Sequence, residues 1–352
     1  MSGQRENYPE HRLAMLPAIG RQSGARLTFP AECTSPSFIR FLQQQRLHGI
    51  WAQALEGAQL SPDGVLMKAE LINAAKLSAA LELPQQQAMR EAHDLLENSA
   101  VPYFFAKGTH LRSVFYAQPW HRPAHDIDIF VHHSDKDSAI RKFIEFGFKA
   151  KPMAKTITHE LKLSRYNTDI DLHWHLMRPS RFRGGLEDWL FAHREKFGDY
   201  WGLDATASLL VMLVHPAITK YLISPTSMLI HQVDQILLID SQKIDWEDLV
   251  RALIDSRLKT AAWSSVYLLE MLSETSVEPE FERLIRPGTL KRIYLKQWID
   301  KAWISRFFDR RWQVATGFSL ALQDTFFDTL RAALLTMSSR SPYGADPFKK
   351  VG

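Results

Sequence analysis

Apolar residues recur at helical spacing from Ser35 to about Leu60, first through Phe38, Ile39, Phe41 and Leu42, then through Leu47, Ile50, Trp51 and Leu55. Ser61, Pro62, Asp63 and Gly64 follow as a turn signal. The longest helical pattern runs from about Val65 to Ser99 and is rich in Ala, Leu, Gln, Glu, Lys and Met; Pro84 predicts a break or kink within it. Its apolar positions Leu71, Ala74, Leu77, Leu81, Met89, Ala92 and Leu96 need a partner surface. The first hundred residues are therefore expected to be a helical layer and not an independent catalytic unit. Residues 1–33, with prolines, polar side chains and few periodic signals, predict an extended or poorly structured leader arm.

The periodicity changes at Val101. VPYFFAKG reads as a short apolar strand closed by Gly108, and THLRSVFYAQP as a short helix ended near Pro119. DIDIFV alternates around Asp126 and Asp128 as a strand does. Lys136 to Phe146 predicts a helix stopped by Gly147, and HELKLSRY and TDIDLHWHL predict two more alternating strands separated by Asn167. The order strand, helix, strand, helix, strand, strand describes a small α/β (α+β) domain with a mixed sheet. After Pro179 the pattern is again helical, in LEDWLFAHR, ATASLLVMLVHPAITKYL, SPTSMLIHQVDQILLID and the helix pair of DWEDLVRALIDSRLKTAAWSSVYLLEML, with a less regular stretch around Pro279.

The expected organisation is a leader (1–33), an amino-terminal helical region (34–100), a catalytic core (101–180), a second helical region (181–280) and a basic aromatic helical tail (281–352). No Gly/Ser linker, internal repeat or low-complexity tract separates them.

Composition narrows the classes. Of 352 residues 45% are hydrophobic and 23% charged, as in ordinary globular chains. The single cysteine, Cys33, excludes an internal disulfide framework and a thiolate zinc cluster. No apolar stretch follows a positive start, and no segment offers the ~18 apolar residues of a membrane span. The expected compartment is the cytoplasm, without membrane insertion. A formal charge of +4 is too small to imply nucleic-acid binding. The stretch from Lys291 to Arg311 is locally basic through Lys291, Arg292, Lys296, Lys301, Arg306, Arg310 and Arg311, and is interleaved with Trp298, Trp303, Phe307, Phe308 and, just beyond, Trp312. It suits either a packed helix with a solvated basic face or a surface for nucleic acid or membrane.

Asp126 and Asp128, two apart on a strand, project from one face, roughly 7 Å apart along the chain. Asp171, His173 and His175 share a face of a later strand. If the two strands are neighbours, three carboxylates meet in an oxygen-rich site suited to Mg²⁺ or Mn²⁺. Such a site serves nucleotidyl transfer by holding a triphosphate and activating a hydroxyl. Gly108 and Thr109 open a helix after a strand, where backbone N–H groups face an anion, and Lys107 offers a point charge to phosphate. A plain strand-to-helix turn is the alternative. Neither GxGxxG nor GxxxxGK[ST] occurs. Arg122 and His125 precede the metal strand and are candidates for phosphate or acceptor contacts or for a simple loop role; Lys162 is a further nucleotide candidate. His173 and His175 extend the site by hydrogen bonding or pack as strand histidines. His215 and His231, in apolar helical surroundings, are expected to satisfy local hydrogen bonds. Trp189, Trp246 and Trp263 are expected to pack.

The ordered set AKGTHLRSVFY, RPAHDIDIFV, FGFKAK, HELKL and DIDLHWHL resembles the DNA polymerase β-type nucleotidyltransferase superfamily, particularly its bacterial family of uncharacterised nucleotidyltransferase-like proteins. The resemblance covers roughly residues 35–270. It implies a polymerase β-type nucleotidyltransferase core of five elements flanked by amino-terminal and carboxy-terminal helical regions, two-metal chemistry with Mg²⁺ or Mn²⁺, and an NTP such as ATP as donor. Gly108 and Thr109 match the phosphate-binding turn, Asp126 and Asp128 the paired metal carboxylates, and Asp171 the third. Thr109 departs from the commonest turn, and the spacing from Thr109 to Asp126 is longer than usual.

The expected activity is transfer of NMP from NTP, with release of pyrophosphate, to a small molecule, a protein hydroxyl or an RNA end. A non-catalytic NTP-binding sensor or scaffold, and a metal-dependent phosphoesterase using the same carboxylates with His173, are the alternatives.

Overall fold

The computed structural model describes residues 8–23, 31–56, 58, 60–151, 159–166, 168–220, 222, 228–273, 275–303 and 313–337. The chain begins with α1 (Pro9–Ser23), α2 (Pro36–Gln44), α3 (His48–Ala54) and α4 (Pro62–Asn98). Caps match the turn signals: the Ser35 hydroxyl accepts from the Phe38 N–H at 3.3 Å and Ser61 from the Gly64 N–H at 3.2 Å, each followed by a proline in the first turn. Helix α4 runs uninterrupted through Pro84, so the expected break is absent. Several of its residues seat on the sheet (Ala88, Met89, Ala92, Leu96), and packing there outweighs the lost backbone bond.

Within the expected leader arm, Pro9–Ser23 form a helix and not an extended or poorly structured segment. Helix α1 is docked in the main core, with Tyr8, Ala14, Met15 and Ala18 buried. Its neighbourhood is fixed by bonds the sequence pattern does not display: the Tyr8 hydroxyl donates to Ile299 O at 2.6 Å, and Trp51 Nε1–H donates to Ala14 O at 2.8 Å.

The core follows as β1 (Tyr103–Ala106), α5 (Lys107–Val114), β2 (Asp126–Val131), α6 (Lys136–Glu145), β3 (Lys149–Ala150), β4 (Glu160–Arg165), β5 (Thr168–His173), α7 (Leu186–Ala192), β6 (Arg194–Phe197) and β7 (Tyr200–Leu203). The sheet order is β3-β4-β5-β2-β1-β7-β6. Strand β2 is central, antiparallel to β1 and parallel to β5, while β4 is antiparallel to β5. This is the mixed sheet of an α+β fold flanked by helices, as expected. The hairpin β6–β7 was not anticipated and extends the sheet beyond β1, where β7 pairs in parallel.

Alternation decides the two faces. Ile127, Ile129, Val131, Ile170 and Leu172 point towards α4 and α6 in one core. Asp126, Asp128, Phe130, Asp169, Asp171 and His173 point the other way. On that side lie Phe104 and Phe130 and the larger helical core, with α8 (Ala205–Thr219), α9 (Met228–Asp240), α10 (Trp246–Asp255), α11 (Lys259–Ser273), α12 (Pro279–Ile285) and α13 (Thr289–Asp300). The stretch at Pro279 is thus a helix, opened by that proline. A last helix, α14, spans Phe326–Met337.

Among the described residues no helix is long and apolar enough to cross a membrane. In the basic aromatic segment, Trp298 is buried in α13. Arg306, Phe307, Phe308, Arg310, Arg311 and Trp312 lie outside the described residues, as does Asn167.

Candidate metal and nucleotide site

The parallel pairing of β2 with β5 puts Asp126 opposite Asp169 and Asp128 opposite Asp171. Lys162, on β4, pairs with Asp171 from the other side, and Glu160 pairs with His173. One ligand atom each from Asp128, Asp171 and His173 lies within 4.8 Å of the others. Among the described residues this is the group brought together at metal-binding spacing. Asp126, expected as a metal ligand with Asp128 and Asp171, lies two residues along the same strand and outside this group, which His173 joins. Asp126 remains in the field of the site, since it raises the proton affinity of Asp171.

Charge is concentrated here and incompletely satisfied. Asp128 Oδ1 lies 2.7 Å from Lys107 Nζ and 2.9 Å from His173 Nε2. Burial opposes its ionisation, but these two groups hold the carboxyl far below the usual carboxylate range. Asp171 is the opposite case. Burial, then Asp126 and Asp128, push its carboxyl up to about 6. Its Oδ1 is buried and lies 3.2 Å from Lys162 Nζ, out of hydrogen-bond alignment. Lys162 is raised by that carboxylate against the effect of its own burial. A divalent cation fits this arrangement: an incompletely paired buried carboxylate oxygen, a second carboxylate whose counter-charges are both side chains of the chain, and a ring nitrogen of His173, all converging on one point.

The turn from β1 into α5 is built tightly. Helix α5 opens directly after β1 at Lys107, which adopts a left-handed φ of 53°. For a residue with a side chain this conformation costs on the order of 1 kcal/mol. Burial alone would lower the pKa of Lys107, and the ion pair with Asp128 raises it, so Lys107 keeps its proton. Gly108 is required by space: a Cβ there would meet Arg122 Nη1 at 2.6 Å and Ala124 Cβ at 3.2 Å. Thr109 is fully buried and its hydroxyl has no partner.

Arg122 is also fully buried. Its Nε and Nη2 donate to the two oxygens of Asp234 on α9, at 3.1 and 2.7 Å, and Nη1 donates to Pro123 O at 3.2 Å. Tyr116 donates to the same carboxylate at 2.6 Å. The guanidinium expected as a phosphate or acceptor contact is thereby committed to a buried ion pair. His231, also on α9, lies 3.6 Å from Asp234, and burial lowers its pKa. Among the expected packing tryptophans, Trp189 Nε1 also donates to Asp248 at 2.9 Å and Trp263 Nε1 to Glu282 at 3.0 Å.

His125 is beside Asp126, and burial followed by Arg46 depresses its pKa. Arg46, at a left-handed φ of 61° between α2 and α3, is a charged neighbour that helical periodicity could not place near Asp126. His215 on α8 is likewise near Lys107 and Asp128; desolvation and then Lys107 push it well below the ordinary imidazole range. His175 turns away to Glu187, 3.0 Å from its Nδ1.

Support comes from α4. Gln85 receives Arg112 Nη1–H at 2.8 Å and donates to Ala124 O at 2.9 Å, which steadies the loop entering β2. A search among curated proteins found no match. The profile of the uncharacterised nucleotidyltransferase family matches residues 34–273, well over half of the chain and all of the strands that carry the site. With that match and this arrangement of carboxylates beside a glycine turn, the chain belongs to the uncharacterised nucleotidyltransferase family, whose general role is nucleotidyl transfer.

Proposed function

We propose that the protein is a divalent-metal-dependent nucleotidyltransferase that moves NMP from an NTP to a hydroxyl of a small molecule, a protein or an RNA end and releases pyrophosphate. The observation that carries this reading is the juxtaposition of Asp128, Asp171 and His173 with the Lys107–Gly108 turn. Asp128 and Asp171 would hold the cation, and Asp126 would add its charge from the neighbouring position. Bound there, Mg²⁺ or Mn²⁺ supplies neutralisation of the triphosphate and acidification of the attacking hydroxyl.

The chain's own groups do the rest. Lys107, whose ammonium is paired with Asp128 at the mouth of the turn, is placed to reach the triphosphate. The first turn of α5 offers N–H groups to phosphate oxygen, with Gly108 allowing close approach. Lys162 and Arg46 stand around Asp126 and Asp171 to meet further negative charge, with the His125 imidazole beside them as a neutral hydrogen-bonding group. In the chemical step the acceptor oxygen bonds the α-phosphorus as the bond to the bridging oxygen of pyrophosphate breaks. In this reading the hydroxyl proton passes to Asp171.

The second reading is a phosphoesterase, favoured by the imidazole in the cluster. The test is incubation with Mg²⁺ or Mn²⁺ and each of four α-labelled NTPs, with and without cellular RNA and protein. Label transfer with pyrophosphate release, lost in Asp128→Asn, is the expected result. Phosphate release from simple esters without use of NTP would replace it with the second reading, and NTP binding without turnover in any mixture would favour a sensor.

A further inference from the structure

The imidazole in the carboxylate cluster bears on which ion the site takes. His173 is 1% exposed, and its ring stacks on Phe130 with centroids 4.6 Å apart and planes 14° apart. Phe130 in turn stacks on Phe104 at 5.1 Å, so a wall of two aromatic rings fixes the imidazole plane. In that plane the two nitrogens face different partners. Nε2 faces the Asp128 carboxylate at 2.9 Å and the Lys107 ammonium at 3.3 Å. Nδ1 faces Glu160 Oε2 at 3.2 Å, out of hydrogen-bond alignment, across the β4–β5 pair.

We propose that His173 is a direct ligand of the metal through Nε2, that Glu160 positions the ring through Nδ1, and that the centre therefore takes a first-row transition ion in preference to Mg²⁺. The inference rests on the metal-dependent reading given above and adds the ligand and the selectivity.

The chemistry follows from ligand type. Mg²⁺ demands a near-octahedral shell of oxygen and gives up water reluctantly, whereas imidazole suits transition ions. A ligating imidazole binds in its neutral form, and a carboxylate beside the second nitrogen fixes which nitrogen carries the hydrogen. Glu160 is the carboxylate placed to do so. An ammonium already lies within 3.3 Å of both Nε2 and Asp128 Oδ1, so this point attracts positive charge without any ion added.

Mn²⁺ is the probe, because its electron spin reports a coordinated nitrogen directly. Full-length protein is titrated with Mn²⁺ by room-temperature EPR, with Mg²⁺ as competitor, and the bound ion is then examined by pulsed EPR for ¹⁴N coupling. The expected result is Mn²⁺ bound more tightly than Mg²⁺, a ¹⁴N signal in the wild type, and loss of that signal in His173→Gln. Glu160→Gln should keep the signal and weaken Mn²⁺ by about 10- to 100-fold. His173→Asp, which offers oxygen in place of nitrogen, should narrow the gap between Mn²⁺ and Mg²⁺ and shows whether His173→Gln failed only by misfolding.

Mn²⁺ bound without ¹⁴N coupling, or a signal that survives His173→Gln, overturns the assignment while leaving a metal site in place. Failure to bind either ion removes the metal-dependent reading itself and the inference with it.

Discussion

Replacing Gly108 with alanine sets two physical effects of opposite sign against each other. Alanine is the better helix former, and at an ordinary helical position the change stabilises by up to about 1 kcal/mol. Here the new Cβ would stand 2.6 Å from Arg122 Nη1 and 3.2 Å from Ala124 Cβ. Ordinary contacts begin near 3.5 Å, so the guanidinium has to retreat by about 0.9 Å. It is held by three donors, two of them on Asp234, in a fully buried setting. Overpacking of this kind costs about 1–3 kcal/mol, and losing the Nη1 bond adds about 1 kcal/mol. Set against the helix gain, the net expectation is a destabilisation of about 1–3 kcal/mol.

Urea unfolding measures it as a lower midpoint at unchanged slope. In an Arg122→Ala/Asp234→Ala background, where neither charge is left alone, the same glycine substitution should cost little or even stabilise. A Gly108→Ala protein as stable as the parent, or equal costs in both backgrounds, would show that the glycine does not answer to Arg122.

Two further outcomes follow from the charged groups. Asp171 ionises at 3.8 when unfolded and about 6 when folded, so folding is penalised as pH rises through that window and fully above it. Asp171→Asn should therefore stabilise the metal-free protein at pH 8, on the order of 1–3 kcal/mol, while Mn²⁺ raises the melting temperature of the wild type only; destabilisation by this substitution without metal would refute the repulsive cluster. Asp234 behaves oppositely: burial opposes ionisation, but Arg122 holds its carboxyl down at about 2. Its contribution is complete above 3.8 and is lost as pH falls towards 2, so Arg122→Ala/Asp234→Ala should flatten the acid limb of stability against pH, as read from urea midpoints.

The parts of the fold visible in sequence are those where burial alternates cleanly. DIDIFV and TDIDLH declare their apolar and acidic faces residue by residue, and the parallel pairing of β2 with β5 then puts Asp128 against Asp171. The β6–β7 hairpin was hidden because Arg194, Glu195 and Lys196 give no apolar alternation, and its turn rests on Gly198 at φ 60°. Helix α1 was hidden by Pro17 and by a weak apolar pattern.

At the site, the shared face of Asp171 and His173 was legible, but the approach of His173 to Asp128 depends on strand register. The sequence offers Lys107 as a phosphate contact; its bond to Asp128 joins residues 21 apart, across the pairing of β1 with β2. The partner of Arg122 lies 112 residues away. Such a pairing has no local trace, and a guanidinium just ahead of a metal strand reads naturally as a ligand contact.

That long-range pair also sets where the protein can be cut. Arg122 enters with the strand that carries the carboxylates, and Asp234 arrives only with α9. An excised piece ending after β7 would keep every candidate metal ligand, yet it would lose the partner of Arg122 and expose the apolar face that α8 to α13 cover. The smallest inheritable module is therefore larger than the sheet, and the family profile, which runs on to residue 273, encloses both halves of the bond.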